Sequence, residues 1–327
     1  SVQNIYDTGV GTKLKQLHPN LETVTKLYNR RSYTEIIDVA NKVRNDEINQ
    51  ESIYLDSEGG SVELYCGKQD AVREFIDLCV EQWNIDIKNP LHCLFATNQM
   101  VADYSGFSNV YRAFKNAGVY QGIGYKQLNT ELLSHDIIRL GKVQSLLYRL
   151  MKLYTEVREK KQALRDILPT DEYRNMSFTN LKELIVLLQS LNGNTLDELF
   201  LDIFGKYKVS SDKTYKFIIE KIFDIDEISY EGVLKYFLHS LYDSYNEEME
   251  TKQIVGEVLN LRIEEVLCWF HYVNRDEGKE IYYHTFHSTK GLEYENVIII
   301  LGKDFGQDKG LFELFFKEYG EDISQDL

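Results

Sequence analysis

The feature of the sequence that most constrains the fold is an uninterrupted aliphatic run near its carboxyl-terminal end, residues 297–301, which reads Val-Ile-Ile-Ile-Leu. A β-branched run of this kind is typical of a strand that is covered on both faces in a parallel sheet. A second strand-like segment, residues 282–286, precedes it, and a polar turn joins the two. Since ligands bind at the strand ends of open α/β sheets, we predict an α/β fold with a binding site at this turn.

The polar turn carries the side chains on which a family resemblance rests. Residues 285–297 read Thr-Phe-His-Ser-Thr-Lys-Gly-Leu-Glu-Tyr-Glu-Asn-Val. This pattern closely resembles motif V of superfamily 1A DNA helicases of the UvrD/Rep/PcrA type. The resemblance implies a RecA-like (P-loop NTPase-type) parallel sheet with helices on both faces. It also implies that Thr285 and His287 face the DNA backbone, and that Gly291 and Glu293 contact the ribose and phosphate of ATP. The alternatives are a structural histidine at a strand end for His287 and a solvated loop carboxylate for Glu293.

The composition agrees with a globular chain. Its 327 residues suggest roughly two domains, and 43% hydrophobic with 27% charged residues can build a real core. No apolar run approaches the ~20 residues of a transmembrane helix, and residues 1–4 lack the features of a signal peptide. We therefore expect a cytoplasmic protein with no membrane partner. Four cysteines are far apart in sequence and lie in apolar segments, which favours reduced core thiols over disulfides or a metal site: Cys66, Cys79, Cys93 and Cys268.

The charge balance is acidic, with a net charge of −15 and a pI of about 5.0. This argues against a protein that coats nucleic acid through its overall charge. A DNA-binding motor needs only a local patch along its groove, so the acidic balance does not exclude that class.

The first residues resemble the second half of helicase motif III, a Gly-Asp-x-x-Gln-x-Ile-Tyr pattern. By this resemblance Gln3 senses the γ-phosphate of ATP, and Tyr6 lies beside single-stranded DNA. The family often places an aromatic residue and an arginine shortly after the tyrosine, where this chain has Thr8 and Gly9. An ordinary turn is the alternative interpretation of so short a pattern.

Residues 29–32, Asn-Arg-Arg-Ser, precede a predicted helix and resemble motif IV of the same family. Ser32 and Glu35 have the spacing of a capping box at the start of that helix. Arg31 matches the arginine that reaches the γ-phosphate from the second motor domain, where a guanidinium stabilises the charge on the transferring phosphoryl group. Arg30 stands where the family usually has a tyrosine. The alternative is a pair of solvated arginines before a helix.

Between residues 52 and 118 the sequence alternates between strand-like and helix-like segments, which predicts a parallel sheet. Strands are expected at 53–55, 62–66 and 91–98, and helices at 68–83 and about 110–116. The last of these strands ends in Thr97 and Asn98, which resembles the Arg-x-Asn strand end of motif IVa and implies a DNA contact. Nothing around His92 indicates a catalytic base.

From about residue 119 to residue 279 the pattern changes to amphipathic helical stretches. They are expected at 133–168, 181–191, 196–203, 215–223, 230–245 and 254–272. Their large aromatic residues are expected in the core: Tyr236, Phe237, Trp269 and Phe270. The family carries a helical insertion, called 2B, at the same point. We therefore predict that residues 1–118 and 280–327 form a discontinuous second RecA-like motor domain (2A), and that residues 119–279 form a 2B-like insertion.

The phosphate-binding half of such a motor is not in this sequence. Several Gly-Lys pairs occur, but none continues with the Ser or Thr of a Walker A loop. The resemblance begins inside motif III. Motif VI, which the family places beyond the amphipathic tail at 308–327, is not in the sequence. We therefore expect the sequence to be part of a longer protein, and this chain alone not to hydrolyse ATP. ATP and Mg²⁺ are the expected substrate and cofactor, with the Mg²⁺ ligands in an N-terminal motor domain and no metal site in this chain.

The sequence thus predicts the C-terminal motor half of an ATP-dependent DNA helicase, which by family resemblance moves 3′ to 5′ on single-stranded DNA. Expected partners are single-stranded DNA, the N-terminal RecA-like domain of the same protein, and a nuclease or repair partner. The alternative is a catalytically silent helicase-like module that binds DNA or acts as a scaffold in a repair or defence complex. A purely structural α/β domain is a third hypothesis, but it leaves the polar turn without a purpose. Repair, plasmid replication and defence against foreign DNA are all compatible with such a motor.

Overall fold

The computed structural model describes residues 18, 20, 22, 27–43, 49–54, 58–157, 177–242, 249–275 and 279–302. The chain divides into two compact units, Ser1–Val72 and Arg73–Leu327. The roles predicted for Gln3 and Tyr6, the amphipathic tail, and the ends of the helices predicted at 133–168 and 230–245 fall outside the described residues.

The described part of the first unit contains two short parallel strands, one α-helix between them and a 3₁₀ turn at Gln69–Ala71. β1 (Tyr28–Asn29) pairs with β2 (Glu51–Ser52). The helix between them, α1, spans Thr34–Val43. β2 lies just before the strand predicted at 53–55.

The capping box predicted for Ser32 and Glu35 is wrong. The Ser32 amide, which such a box would pair with Glu35, donates instead to the side chain of Asn29 at 3.1 Å. The Glu35 carboxylate accepts from the amides of Gly59 and Gly60 at 2.9 and 3.2 Å. The bond from Gly59 is the main reason why the pKa of Glu35 is lowered. Glu35 therefore links α1 to the loop that follows β2.

The strand predicted at 62–66 is also wrong. Residues 58–68 are all described and contain no strand, and the apolar side chains of 62–66 are exposed. Alternating apolar residues favour a strand only when a neighbouring strand pairs with them and covers one face. Cys66 is exposed with this segment, so the expectation of core thiols is confirmed for Cys79 and Cys93 but not for Cys66.

The second unit is built on a three-stranded parallel sheet with the order β4-β3-β5. β3 spans Leu91–Phe95, β4 spans Ile281–Thr285 and β5 spans Asn296–Ile299. The three strands lie within the segments predicted at 91–98, 282–286 and 297–301 or begin one residue earlier. The α/β class with parallel strands is therefore confirmed.

β5 is covered on one face only. Ile298 and Ile300 are buried, whereas Ile299 on the other face is 60% exposed. The prediction of a strand buried on both faces is therefore wrong. The physical reason is position, because β5 lies at the edge of the described sheet and β3 occupies its centre.

The remaining regular elements of the second unit are helices. α2 (Val72–Gln82) precedes β3. Between β3 and β4 the described chain forms α3 (Asn98–Tyr104), α4 (Ser108–Asn116), α5 (Tyr125–Leu133), α6 (Lys142–Thr155), α7 (Phe178–Gln189), α8 (Leu196–Val209), α9 (Lys213–Phe223), α10 (Tyr230–Leu241), α11 (Thr251–Ile254), α12 (Gly256–Leu259) and α13 (Ile263–Val273). One isolated antiparallel bridge joins Thr195 to Arg262.

The helices between β3 and β4 share one hydrophobic core, which runs from Ala102 to Val273. Phe237, Trp269 and Phe270 are buried in this core and Tyr236 packs against it, as predicted. The indole nitrogen of Trp269 donates to the Leu132 carbonyl at 2.7 Å, which satisfies the only polar atom of the ring. None of the helices in the described ranges is long and apolar enough to span a bilayer.

The predicted helix from residue 133 onward does not continue without a break. α5 ends at Leu133, and α6 begins at Lys142. In between, the Asp136 side chain accepts from the Ile138 amide at 3.2 Å and caps a 3₁₀ turn. The predicted helix is therefore wrong over residues 134–141, because this local side-chain cap competes with the helical hydrogen bonds.

Candidate functional site

The carboxyl ends of β3 and β4 meet at one edge of the parallel sheet. Phe95 is in register with Thr285, and the Phe286 amide continues the pairing by donating to the Phe95 carbonyl at 3.1 Å. On the other side of β3, the Ile300 amide donates to the Leu94 carbonyl at 2.9 Å. The segments that follow the strands therefore leave the sheet from one edge, where ligands bind in open α/β sheets.

Four of the predicted DNA-contacting residues lie at this edge. Thr97 is the N-cap of α3, and its hydroxyl oxygen accepts from the Met100 amide at 3.2 Å. Asn98 is the first residue of that helix rather than the end of a strand. Thr285 is the last residue of β4, and His287 is exposed in the turn that follows. The structure thus brings the predicted motif IVa and motif V residues to one edge of the sheet.

The turn after β4 is held by its own short hydrogen bonds. The Ser288 amide and hydroxyl both donate to the Thr285 carbonyl, at 3.1 and 2.9 Å. The Thr289 hydroxyl donates to the Phe286 carbonyl at 3.1 Å, and the Leu292 amide donates to the Thr289 carbonyl at 2.9 Å. The hydroxyls that the sequence concentrates here therefore shape the turn.

The predicted ATP-contacting residues of the turn are exposed. Gly291 has a φ of +86°, in the left-handed region where glycine is favoured, and a Cβ placed there would meet nothing within 4 Å. Glu293 follows two residues later on the surface. The backbone near Gly291 is therefore open to a ligand that approaches from outside the turn.

A group of four stacked rings lies on the face of the sheet that carries His92; we call it the histidine–tyrosine stack. It consists of His92 on β3, Tyr282 and His284 on β4, and Tyr294 just before β5. The ring centroids of His92 and Tyr294 are 3.8 Å apart, and those of His284 and Tyr294 are 5.5 Å apart. His92 also stacks on Tyr282 at 5.2 Å. His92 Nδ1 and His284 Nε2 share a hydrogen bond of 3.0 Å, in which one nitrogen donates and the other accepts.

Burial lowers the pKa of both histidines of this stack and so favours their neutral forms. Burial, together with His92, His135 and Arg275, lowers the pKa of His284 to about 4. His135 and Arg275 belong to the segments that follow α5 and α13, and the pKa of His135 is itself lowered, chiefly by burial. In the neutral forms one imidazole can donate to the other, as the 3.0 Å contact between His92 Nδ1 and His284 Nε2 requires.

The opposite face of the sheet carries a separate aromatic group. Phe95 contacts Tyr104 and Tyr283 with ring centroids 4.6 and 6.0 Å apart. The Arg73 guanidinium lies 4.8 Å from the centre of the Tyr104 ring. This group packs α3 against β3 and β4, on the other side of the sheet from the histidine–tyrosine stack.

Arg31 lies in the first unit, whereas the edge residues lie in the second. It is the second residue after β1 and is exposed, and its amide donates to the Asn29 side chain at 2.9 Å. That bond is part of the Asn29 turn that replaces the predicted capping box. Gln3 and Tyr6 are outside the described residues.

Sequence reasoning missed the histidine–tyrosine stack, since it assigned no role to His92. The signal that could have found it is the two-residue alternation of strands. Tyr282 and His284 are two residues apart on β4 and therefore share a face, and His92 is in register with Tyr282. The contribution of Tyr294 could not be read from spacing, because it lies in the connection between strands.

The edge offers hydroxyls, an amide side chain, an imidazole and the Lys290 ammonium, which are groups that commonly contact phosphate oxygens in nucleic acids. Within the described ranges, no group of three or more His, Cys, Asp or Glu side chains could hold a metal ion.

The chain is similar to the Gabija protein GajB of Bacillus cereus (strain HuB5-5). The two are 38% identical over 322 residues, which cover 98% of this chain and 47% of that protein. The chain thus spans about half the length of this relative. No protein-family model matches the sequence. No solved structure matches it either.

Proposed function

We propose that this chain is the second motor domain, with its helical insertion, of an ATP-dependent translocase of the UvrD-like helicase type that moves 3′ to 5′ on single-stranded DNA. The observation that carries the proposal is the meeting of the motif V turn with Thr97 and Asn98 at one carboxyl edge of a parallel sheet. Similarity to a Gabija protein over nearly the whole chain supports a role in a Gabija system.

The ATP-contacting part of the proposal rests on Arg31, Gln3, Gly291 and Glu293. A guanidinium such as that of Arg31 would stabilise the negative charge on the transferring γ-phosphoryl group, and Gln3 would sense the same group. The open backbone at Gly291 would allow close approach of a phosphate or ribose, with Glu293 accepting from a ribose hydroxyl. When bound, Mg²⁺ would neutralise phosphate charge, and an N-terminal RecA-like domain of the full-length protein would supply its ligands and the Walker A lysine.

The DNA-contacting part rests on the edge residues and on Tyr6. Thr97, Asn98, Thr285 and His287 would contact backbone phosphates, which position a strand without reading its sequence. Closure of the cleft between two motor domains on ATP would move this contact set along the strand. A nuclease or a repair protein is the partner class that such a motor would serve.

The test is ATP hydrolysis by the full-length protein with and without single-stranded DNA. DNA-stimulated turnover is expected, and Arg31→Ala should reduce kcat by ~10³ or more if the guanidinium acts as an arginine finger. The matched control is Arg30→Ala, which removes the neighbouring exposed arginine and should leave kcat within about threefold. No turnover in the unmodified protein would favour a silent scaffold, and near-normal turnover in Arg31→Ala would reject the role of that residue.

A further inference from the structure

The connection from β4 to β5 has to cross the central strand. β4 and β5 are parallel, and β3 lies between them. Residues 286–295 therefore leave the carboxyl edge at β4 and return to the opposite edge to begin β5. Parallel strands are usually joined by a dozen or more residues that include a helix. This connection is shorter and contains no helix in any of its residues, all of which are described.

The two halves of this connection are held differently. The first half is fixed by the turn hydrogen bonds, the last of which joins the Leu292 amide to the Thr289 carbonyl. After Glu293, the side chain of Tyr294 contacts the sheet. Its ring centroid lies 3.8 Å from that of His92 and 5.5 Å from that of His284. Glu293 therefore lies directly between the last of these turn hydrogen bonds and the stacked ring of Tyr294.

The histidine–tyrosine stack is rigid because the two imidazoles are joined to each other. The His92–His284 hydrogen bond of 3.0 Å fixes the plane of both rings. His92 also stacks on Tyr282 with a ring-centroid distance of 5.2 Å, so its ring has a second aromatic neighbour besides Tyr294. A tyrosine stacked on a fixed platform has little freedom, and the position of the preceding residue is set with it.

We propose that His92 and His284 are positioning residues for nucleotide binding: they fix Tyr294, and Tyr294 fixes Glu293 where it meets the ribose. The inference rests on the proposed function, since it assumes that Glu293 contacts ATP. Neither imidazole touches the nucleotide. Their effect is on affinity for ATP, with the DNA edge left unchanged.

The experiment measures ATP turnover by the full-length protein with saturating single-stranded DNA. Tyr294→Leu should raise the KM for ATP by ~10-fold or more and change kcat less than threefold, because a misplaced Glu293 weakens binding before chemistry. Tyr294→Phe keeps the stacked ring and should restore the KM to within twofold. His92→Leu, on a different strand from the turn, should reproduce the effect of Tyr294→Leu. DNA affinity should stay within twofold in all three variants.

The matched control is Tyr283→Leu, which removes a ring of the same type from β4, on the opposite face of the sheet from the histidine–tyrosine stack. It should lower the melting temperature about as much as Tyr294→Leu while leaving the KM for ATP unchanged. Equal KM changes in both variants would show a general loss of packing and overturn the inference. An unchanged KM in Tyr294→Leu and His92→Leu would overturn it as well, while DNA-stimulated turnover in the unmodified protein would leave the proposed function standing. No turnover in the unmodified protein would overturn both.

If Tyr294→Leu does not fold, His92→Phe provides the same test. This variant keeps a ring under Tyr294 but cannot hydrogen bond to His284. A KM for ATP between those of the unmodified protein and His92→Leu is expected. A KM equal to that of the unmodified protein would limit the positioning role to stacking and reject the hydrogen bond.

Discussion

The Thr97 hydroxyl caps α3 and is also proposed to contact DNA, and substitutions can separate these two roles. Thr97→Asp keeps an acceptor for the Met100 amide, so the free energy of unfolding should change by less than ~0.5 kcal/mol. Thr97→Ala removes the cap and should cost about 1 kcal/mol. A carboxylate facing a DNA phosphate should nevertheless weaken single-stranded DNA binding by ~10-fold. Urea unfolding and fluorescence anisotropy with a labelled oligonucleotide measure the two effects.

The control for this pair is Ser177→Asp, at the N-cap of α7, where the side chain accepts from the Asn180 amide at 3.2 Å. The same added charge on the helical segment should leave DNA affinity unchanged. If Ser177→Asp weakens binding as much as Thr97→Asp, overall charge is responsible and the edge assignment is incorrect.

Substitutions at two glycines compare the cost of backbone strain with the cost of a close contact. Gly291→Ala places a Cβ in open space at a φ of +86°, so its cost is conformational and should be about 1 kcal/mol of unfolding free energy. At Gly193 a Cβ would lie 2.4 Å from the Leu199 amide nitrogen, which is backbone and cannot move aside cheaply. Gly193→Ala should therefore cost more, roughly 2–3 kcal/mol. Urea unfolding of both variants checks the order, and a larger loss at Gly291 would contradict it.

At the scale of one element, the sheet should lose stability in mild acid through His284. Its pKa falls from an ordinary value of 6.5 to about 4 because of burial and of His92, His135 and Arg275. Between these pH values the unfolded chain binds a proton that the folded chain does not, so stability is full above pH 6.5 and is lost as pH falls toward 4. Since the ring is partly exposed, the loss due to His284 should be about 1–2 kcal/mol.

Urea unfolding at a series of pH values measures this loss, and His284→Phe isolates the contribution of one ring. The variant keeps aromatic packing against Tyr294 but cannot titrate. Its stability should fall less steeply than that of the unmodified protein between pH 6.5 and pH 4. The remaining slope should come from groups such as His92 and His135, whose pKa values are also lowered. Identical slopes would mean that His284 is not the titrating group.

At the scale of the whole molecule, the helices between β3 and β4 contain their own core. That core runs from Ala102 to Val273 and is assembled from helices. A fragment of residues 98–275 should therefore fold and unfold cooperatively in urea without the sheet, as judged by far-ultraviolet circular dichroism. Trp269→Ala in the fragment should cost about 3–5 kcal/mol, because the indole is fully buried and bonded to Leu132. A broad, non-cooperative transition in the unmodified fragment would contradict this expectation.

Prediction from the sequence was most accurate for segments with a long and periodic hydrophobic pattern. The three strands of the sheet and the buried aromatic residues Phe237 and Trp269 were found from hydrophobic pattern alone. The polar turn and Thr97 were located through motif spacing, and the structure brings them to one edge. Errors arose where a local polar bond outcompeted a pattern: Asn29 displaced the predicted capping box, and Asp136 broke a predicted helix. The histidine–tyrosine stack was missed because it depends on strand order, which no single segment encodes.

The order of the strands also determines when each part of the chain can fold during synthesis. Leu91 on β3 pairs with Ile281 on β4, about 190 positions later in the chain. A ribosome that adds ~5–20 residues per second needs roughly 10–40 s to cover that distance. During this interval β3 has been made, but neither of its partners has. The helical core can fold before β3 has a partner strand. The edge that carries the candidate site forms only after β4 and β5 have left the ribosome. A nascent chain should therefore gain the helical structure of residues 98–275 well before it completes the candidate site at the carboxyl ends of these strands.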